Sequence, residues 1–158
     1  MKRQYVRSHL SDDAVVLSLT RANAQELTST ADLLADIAEV DARKLYRPAG
    51  YSSMFSYCVD VLRRSEVAAY KRIRAARAAR RFPVIFEMLA DGRLHLSGIV
   101  LLAPYLTEHT AQDLLTAATH KTARQIEQLL AERYPRPDLP TRIVPIPTPV
   151  AHEFPPPN

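Results

Sequence analysis

The cationic side chains of this sequence are concentrated in one helix-length segment, residues 63–81. The segment contains eight of the 21 Lys and Arg residues of the chain and one of its 17 Asp and Glu residues. Its local net charge is +7, whereas the other 139 residues together carry −3. A localised basic segment is the electrostatic feature expected of a protein that contacts nucleic-acid phosphates. The alternative is a solvated helix rich in Arg and Ala that has no ligand.

Residue types suited to catalysis or metal binding do not form a comparable cluster. A metal-dependent nuclease needs a histidine to activate water and grouped His, Asn or Asp side chains to hold a cation. Asp36, Glu39 and Asp41 group carboxylates along a helical stretch. The spacing of Glu39 and Arg43 nevertheless predicts an ion pair on a solvated face. We therefore expect no catalytic residue, no metal site and no cofactor. The histidines are separated along the chain: His9, His95, His109, His120 and His152.

Residues 65–82 have the features of a helix with defined ends. Ser65 is a suitable N-cap, and Glu66 places negative charge in the first turn. The interior is mostly Ala and Arg, which are strong helix formers. Pro83 ends the helix, because the residue before a proline is disfavoured in the α region. One helix is therefore predicted to position most of the cations.

A step of 100° per residue separates two faces of this helix. We expect Ala69, Ile73 and Ala76 to form the buried face. The presented face then consists of Val67, Lys71, Arg74, Ala78 and Arg81.

Four large residues fit this division less well. Val67 and Tyr70 lie off the line of Ile73 although both are large. Arg72 and Arg80 lie toward the buried edge, where we expect them to pair with acids of the long N-terminal helix.

The pattern before the basic helix is also helical. Ser11 opens a long helix that runs to about Tyr46, although the weaker stretch 19–23 could divide it. Ser52 caps a short amphipathic helix, and a tight link at residues 63–64 follows. This arrangement predicts a helix-turn-helix at about 52–81, without the common glycine in its turn.

Further helix boundaries follow the basic helix. We expect Pro83 at a first helical position and Gly92 just after the end of that helix. Ser97, Thr107 and Thr122 are expected to begin the later helices.

Composition supports one all-α domain at 11–134. The 158 residues include three Gly and no Trp, and 47% of them are hydrophobic. Nine of the twelve prolines lie in 135–158, which predicts a Pro-rich extended linker or disordered tail. The one cysteine, Cys58, excludes an intrachain disulfide and suggests a buried thiol. No apolar stretch is long enough for a membrane span, so we expect a cytoplasmic protein with no membrane partner.

Four stretches carry a family resemblance: Glu39–Tyr46, Gly50–Cys58, Ser65–Pro83 and Leu89–Leu94. Together they make the region 39–140 resemble the helical N-terminal part of bacterial HNH endonuclease proteins. In those proteins a Pro-rich connector leads to a C-terminal HNH nuclease module. The resemblance implies a DNA-targeting region whose sequence here ends within the connector, without the nuclease module. It also leaves open whether the whole protein is an enzyme.

A more distant resemblance covers residues 65–130. Ser65–Pro83, Leu89–Leu94 and Thr122–Leu129 are similar to the helix-turn-helix core of ParB/KorB-type partition proteins. The helix before Pro83 is about one turn longer than in that family. The Gly-Glu-Arg-Arg nucleotide-binding motif is absent, so nucleotide switching is not implied.

Together these features predict a duplex-DNA-binding module that acts mostly through phosphate contacts. Alternatives are a stand-alone transcriptional or partition-type regulator, and an interaction protein whose basic helix docks an acidic partner. The 11–46 helix is a candidate for homodimerisation. The residues predicted to face the groove are Lys71, Arg74 and Arg81, with Ser65, Tyr70 and Arg77 beside them and with Arg63 and Arg64 on phosphates.

Overall fold

The computed structural model describes residues 5–135, and within this range the fold is all-helical, as predicted. The α-helices are α1 (Asp12–Arg43), α2 (Met54–Asp60), α3 (Glu66–Arg81), α4 (Val84–Ala90), α5 (Leu96–Leu102), α6 (Ala111–Ala118) and α7 (Ala123–Arg133). A short 3-10 helix, η1 (Ala103–Tyr105), follows α5. The predicted Pro-rich extension lies, apart from Pro135, outside the described residues.

The long N-terminal helix α1 is continuous. Its N-cap Ser11 accepts a hydrogen bond from the N–H of Ala14 at 3.3 Å. The division expected at 19–23 does not occur, because the hydroxyl of Thr20 bonds to the carbonyl of Val16 at 3.0 Å and so stays compatible with a helix. The helix ends earlier than predicted, at Arg43, because Lys44 adopts a left-handed conformation with φ 56°.

The two halves of α1 have different surroundings. Its C-terminal half packs on α3 and α4 and buries Ala31, Leu34, Ile37 and Ala38. Its N-terminal half projects from this packed region and is solvent-exposed on nearly every side. The large apolar residues exposed on this projecting half are Val15, Val16, Leu17 and Leu19.

Helix α3 lies at the centre of the fold and contacts α1, α2, α4 and α5. The predicted burial of Ala69, Ile73 and Ala76 is confirmed. The predicted exposure of Ala78 is wrong, since only 7% of this residue is accessible. Neighbours cover α3 on more than one side, so its exposed surface is narrower than half of the helix. The buried residues of α3 are Ala69, Ile73, Ala75, Ala76, Ala78 and Ala79.

Three predicted helix boundaries are confirmed. Ser65 accepts a hydrogen bond from the N–H of Ala68 at 3.3 Å. Thr122 forms a capping box with Gln125 at the start of α7. Gly92 follows α4 with φ 79°, a conformation that favours glycine.

Four boundaries differ from the prediction by one to three residues. Ser53 rather than Ser52 caps α2, and Pro83 is the N-cap of α4 rather than its first residue. His95 caps α5, because its Nδ1 accepts the N–H of Gly98 at 3.0 Å, which is the role expected of Ser97. Helix α6 begins after Thr110, since the hydroxyls of Thr107 and Thr110 bond to each other in a preceding turn.

Candidate nucleic-acid interface

One side of α3 carries a row of residues that reach the solvent, which we call the basic stripe: Tyr70, Arg74, Arg77 and Arg81. Their spacing of four, three and four residues places them on one side of the helix. Tyr70 is 51% exposed, and Val67, at the N-terminal end of the row, is 66% exposed. Both residues are therefore exposed, which explains why neither lies on the buried side of α3 with Ile73.

The basic stripe forms the floor of a recess between two walls. One depression, of about 310 Å³, lies between the stripe and the residues around the start of α2, including Tyr46, Ser53 and Phe55. A second, of about 230 Å³, lies between the stripe and Ala103–Pro104 of η1. Arg74 and Arg77 line both depressions.

Aromatic rings hold two of the guanidinium groups in place. Arg74 donates from Nη1 to the hydroxyl of Tyr70 at 2.9 Å, and its Cζ lies 5.5 Å from the centre of that ring. The Cζ of Arg81 lies 5.2 Å from the ring centre of Phe82. A guanidinium has five N–H donors, so these contacts leave most donors of both groups available to a ligand. The ring contacts therefore orient both guanidinium groups while using few of their N–H donors.

An acid of α1, Asp41, forms an ion pair with Arg77, the remaining arginine of the stripe. Arg77 donates from Nε to Asp41 Oδ2 at 2.7 Å and from Nη2 to Oδ1 at 3.1 Å. These hydrogen bonds raise the pKa of Arg77. The side chain of Arg77 is still 62% exposed, whereas that of Asp41 is only 15% exposed. Arg77 therefore lines the recess, but a carboxylate of the protein neutralises its charge.

A second acid of α1 binds two arginines. Glu39 accepts hydrogen bonds from Arg80 Nη1 and Arg43 Nε, each at 2.5 Å. The bond from Arg80 and, next, the bond from Arg43 hold the pKa of Glu39 below its ordinary value of 4.5. The predicted pairing of Arg80 with the long helix and the predicted pair of Glu39 with Arg43 are both confirmed.

Arg72 does not form the ion pair that the sequence suggested. Its Nη1 donates to the carbonyl of Ala68 at 3.4 Å, and its Nε is buried without a hydrogen-bond partner. Burial and, next, the charge of Arg64 lower the pKa of Arg72. At 100° per residue, Arg72 lies about 140° around α3 from Arg77, the residue that meets Asp41 of α1.

The other predicted contact residues lie away from the stripe. Lys71 is half-buried and donates from Nζ to the hydroxyl of Ser97 at 3.2 Å, which directs it toward α5. Arg63 and Arg64 are exposed in the turn before α3, where Arg63 has φ 53°. Ser65 uses its hydroxyl as the N-cap. The structure thus gathers Tyr70, Arg74, Arg77 and Arg81, and places Arg63, Arg64 and Ser65 at one end of α3.

Sequence reasoning missed Asp41 as a contact of the basic helix. The signal in the sequence is the carboxylate cluster around Glu39, whose spacing to Arg43 predicts a solvated face. Asp41 and Arg77 are 36 residues apart, and no local spacing rule relates them. The walls of the recess, at Ser53, Phe55 and Pro104, had no sequence signal either.

Within residues 5–135, no group of three or more His, Cys, Asp or Glu side chains is placed to hold a metal ion. In the same range, no helix is both long and apolar enough to cross a membrane. Comparison with protein-family models, with curated proteins and with solved structures gives no significant match.

Proposed function

We propose that this domain binds duplex DNA, mainly through phosphate contacts, at the recess around the basic stripe. The observation that carries the proposal is the state of Arg74 and Arg81. Arg81 is exposed and Arg74 is half-buried at the surface of α3, and within the described residues neither has a carboxylate partner. Cations that the fold leaves unneutralised on one line are available to a polyanion.

The spacing of these cations supports phosphate binding. Arg74 and Arg81 are seven residues apart, which is about 10 Å along a helix. Phosphates of one DNA strand advance by about 3.4 Å per step along the duplex axis, so this span corresponds to about three steps. Arg63 and Arg64 would add contacts beyond the N-terminal end of α3. We expect non-specific affinity to dominate, with a Kd on the order of 10⁻⁴ to 10⁻⁶ M at physiological salt.

The arrangement of α2, its turn and α3 also supports a helix-turn-helix. The turn contains Arg63 in a left-handed conformation, which is the backbone state that a glycine would otherwise supply. In this proposal Tyr70 and Val67, near the start of α3, are the residues nearest to base edges. They are uncharged, so base selectivity is modest compared with phosphate affinity.

The test is fluorescence anisotropy with a labelled duplex across a series of salt concentrations. Arg74→Ala and Arg81→Ala should each weaken binding and flatten the slope of log K against log salt by about 0.9. Arg124→Ala, at an exposed position of α7, is the matched control and should leave the slope unchanged. Unaltered binding in the Arg74→Ala, Arg81→Ala double variant would reject the assignment.

An acidic protein is the alternative ligand of the stripe. A competition experiment distinguishes DNA from an acidic protein as the ligand. Polyglutamate is added to the DNA complex at the same concentration of negative charge as the DNA. DNA binding predicts weak competition by polyglutamate, because its flexible carboxylates lack the fixed spacing of duplex phosphates. Equal competition would favour the acidic protein and remove the preference for DNA.

The resemblance to HNH endonuclease proteins gives this binding a proposed role, the targeting of a nuclease module to DNA. The source DNA beyond codon 158 provides the test. An HNH module in the same or a shifted reading frame would support targeting. A stop codon with no such module in any frame would reject targeting and leave a stand-alone transcriptional or partition-type regulator.

Homodimerisation through α1 is a second candidate function, and the exposed apolar residues of its projecting half favour it. Fully burying one Val or Leu side chain contributes about 1.5 to 3 kcal/mol, and this half exposes Val15, Val16, Leu17 and Leu19. Light scattering over a range of protein concentrations should show a dimer that Leu19→Glu disrupts. Gln25→Glu, at another exposed position of α1, is the control. A monomer at every concentration would exclude the dimer.

A further inference from the structure

A larger groove, which shares only Arg81 with the lining of the recess, lies between the C-terminal end of α3, α4 and α6. Its volume is about 640 Å³. Its apolar lining includes Phe82, Val84, Met88 and Leu115. Its polar lining includes Arg81, Arg93 and Gln112, which have N–H donors, and one acid, Glu108.

The polar groups of this groove offer donors more than acceptors. Arg93 uses its Nε on Asp91 at 2.8 Å and keeps its Nη donors. Thr116 also lines the groove, but its hydroxyl already donates to the carbonyl of Gln112 at 2.7 Å. An apolar floor with guanidinium and amide donors fits a ligand that has apolar side chains and free carbonyl oxygens.

We propose that this groove binds the proline-rich segment Ile143–Val150 of the same chain. The segment has prolines at positions 145, 147 and 149 and no charged residue. Proline has no N–H, and the polyproline II conformation that such a sequence favours makes no internal hydrogen bonds. Its carbonyl groups can therefore accept from Arg81, Arg93 and Gln112, while its Ile, Val and Pro side chains contact the apolar floor. Apolar grooves recognise proline-rich peptides in this way.

The end of α7 lies close enough for the segment to reach the groove. Arg133 forms an ion pair with Asp113 of α6, and the ring of Tyr134 stacks on Tyr105 with centres 4.7 Å apart. From Pro135 to Ile143 is eight residues, or about 25 Å in an extended chain. Helix α6, which lines the groove, is only about 12 Å long.

Tethering favours binding within one chain over binding between chains. A short linker that can span the distance between two sites gives an effective concentration on the order of millimolar. An affinity of that order for the segment would therefore keep the groove about half occupied. Binding between two copies would need a millimolar protein concentration to reach the same occupancy.

Paramagnetic broadening in the full chain tests the proposal. A nitroxide attached to Thr148→Cys labels the segment alone, because Cys58 is only 1% exposed and burial raises the pKa of its thiol. The methyl signals of Met88 and Leu115 should lose intensity, while those of Leu34, buried in α1, should not. The loss should be independent of protein concentration.

A matched pair of variants separates docking from chance proximity. Thr116→Glu adds a carboxylate that repels the carbonyls of the segment, so it should restore the Met88 and Leu115 signals. Thr28→Glu is the control, since Thr28 is also an exposed helical residue that bonds to the carbonyl four residues earlier, at 3.1 Å. Undiminished Met88 and Leu115 signals, losses unaffected by Thr116→Glu, or losses that grow with protein concentration would each overturn the proposal. None of these measurements uses DNA, so their outcome is independent of the proposed DNA binding.

Discussion

Replacing Asp41 with Asn should strengthen DNA binding while weakening the fold. The carboxylate of Asp41 neutralises Arg77 within the recess and holds it with two hydrogen bonds, at 2.7 and 3.1 Å. An Asn at this position is nearly the same size and can accept one of those bonds, but it carries no charge. Arg77 would then be available to a phosphate.

The size of both effects can be worked out from the geometry. One additional phosphate contact steepens the slope of log K against log salt by about 0.9, which corresponds to about eightfold tighter binding at 0.1 M salt relative to a 1 M reference. With contacts from Arg63, Arg64, Arg74 and Arg81, the slope should change from about −3.6 to about −4.5. Because Arg77 is 62% exposed, solvent screens the pair, and its loss should cost only about 0.5 to 1 kcal/mol of unfolding free energy.

Anisotropy titrations with one labelled duplex, at four or more salt concentrations, measure the first effect, and thermal unfolding measures the second. The control is Asp36→Asn, which removes the same charge from an exposed position of α1 that has no ion pair within residues 5–135. A steeper slope in Asp41→Asn than in Asp36→Asn supports the assignment of the recess. An equal or flatter slope in Asp41→Asn would show that phosphates do not reach Arg77, and the reasoning would fail.

Three further variants have distinct expected outcomes. Arg63→Gly should stabilise the fold by up to about 1 kcal/mol, because Arg63 has φ 53°, yet it should flatten the salt slope by about 0.9; an unchanged slope would remove Arg63 from the interface. Glu39→Gln should lower the melting temperature at pH 7. The difference from the original protein should vanish as the pH falls below the lowered pKa of Glu39, since the stabilisation by its ionised form exists only above that range; a constant difference from pH 7 to 3 would contradict this. In Gly98→Ala the new Cβ would lie 2.8 Å from Ile126 Cδ1, so overpacking of about 1 to 3 kcal/mol should exceed the gain of about 0.5 to 1 kcal/mol in helix propensity. A denaturation midpoint equal to or above the original would show that Ile126 moves aside freely.

Helix identity and several helix ends could be predicted because their signals are local. Ser65 and Thr122 each lie next to the backbone N–H groups that they cap, so residue type and position suffice. The same holds for the i,i+4 pair of Glu39 and Arg43. Residue preference alone selects Ser97 as the N-cap of α5, whereas His95, two residues earlier, accepts the N–H of Gly98 and is the actual cap.

The composition of the exposed face could be predicted only in part. Periodicity divides a helix into one buried and one exposed side, and α3 is covered by several neighbours. Ala78 is buried as a result, and Lys71 bonds to Ser97 of α5, 26 residues away. Tertiary packing likewise determines which arginine of α3 is neutralised by an acid. Asp41 reaches Arg77 only because α1 lies against α3.

One consequence of the structure of α1 concerns local unfolding. A half-helix with few tertiary contacts is only marginally stable in water, whereas the half that buries Leu34 and Ile37 can open only when the core does. Amide hydrogens near Leu19 should therefore exchange far faster than those near Leu34, although they belong to one continuous helix. The first half of α1 can then fray or bind a partner while the arginines of α3 keep their positions. The projecting half of α1 and the basic stripe can therefore be occupied independently.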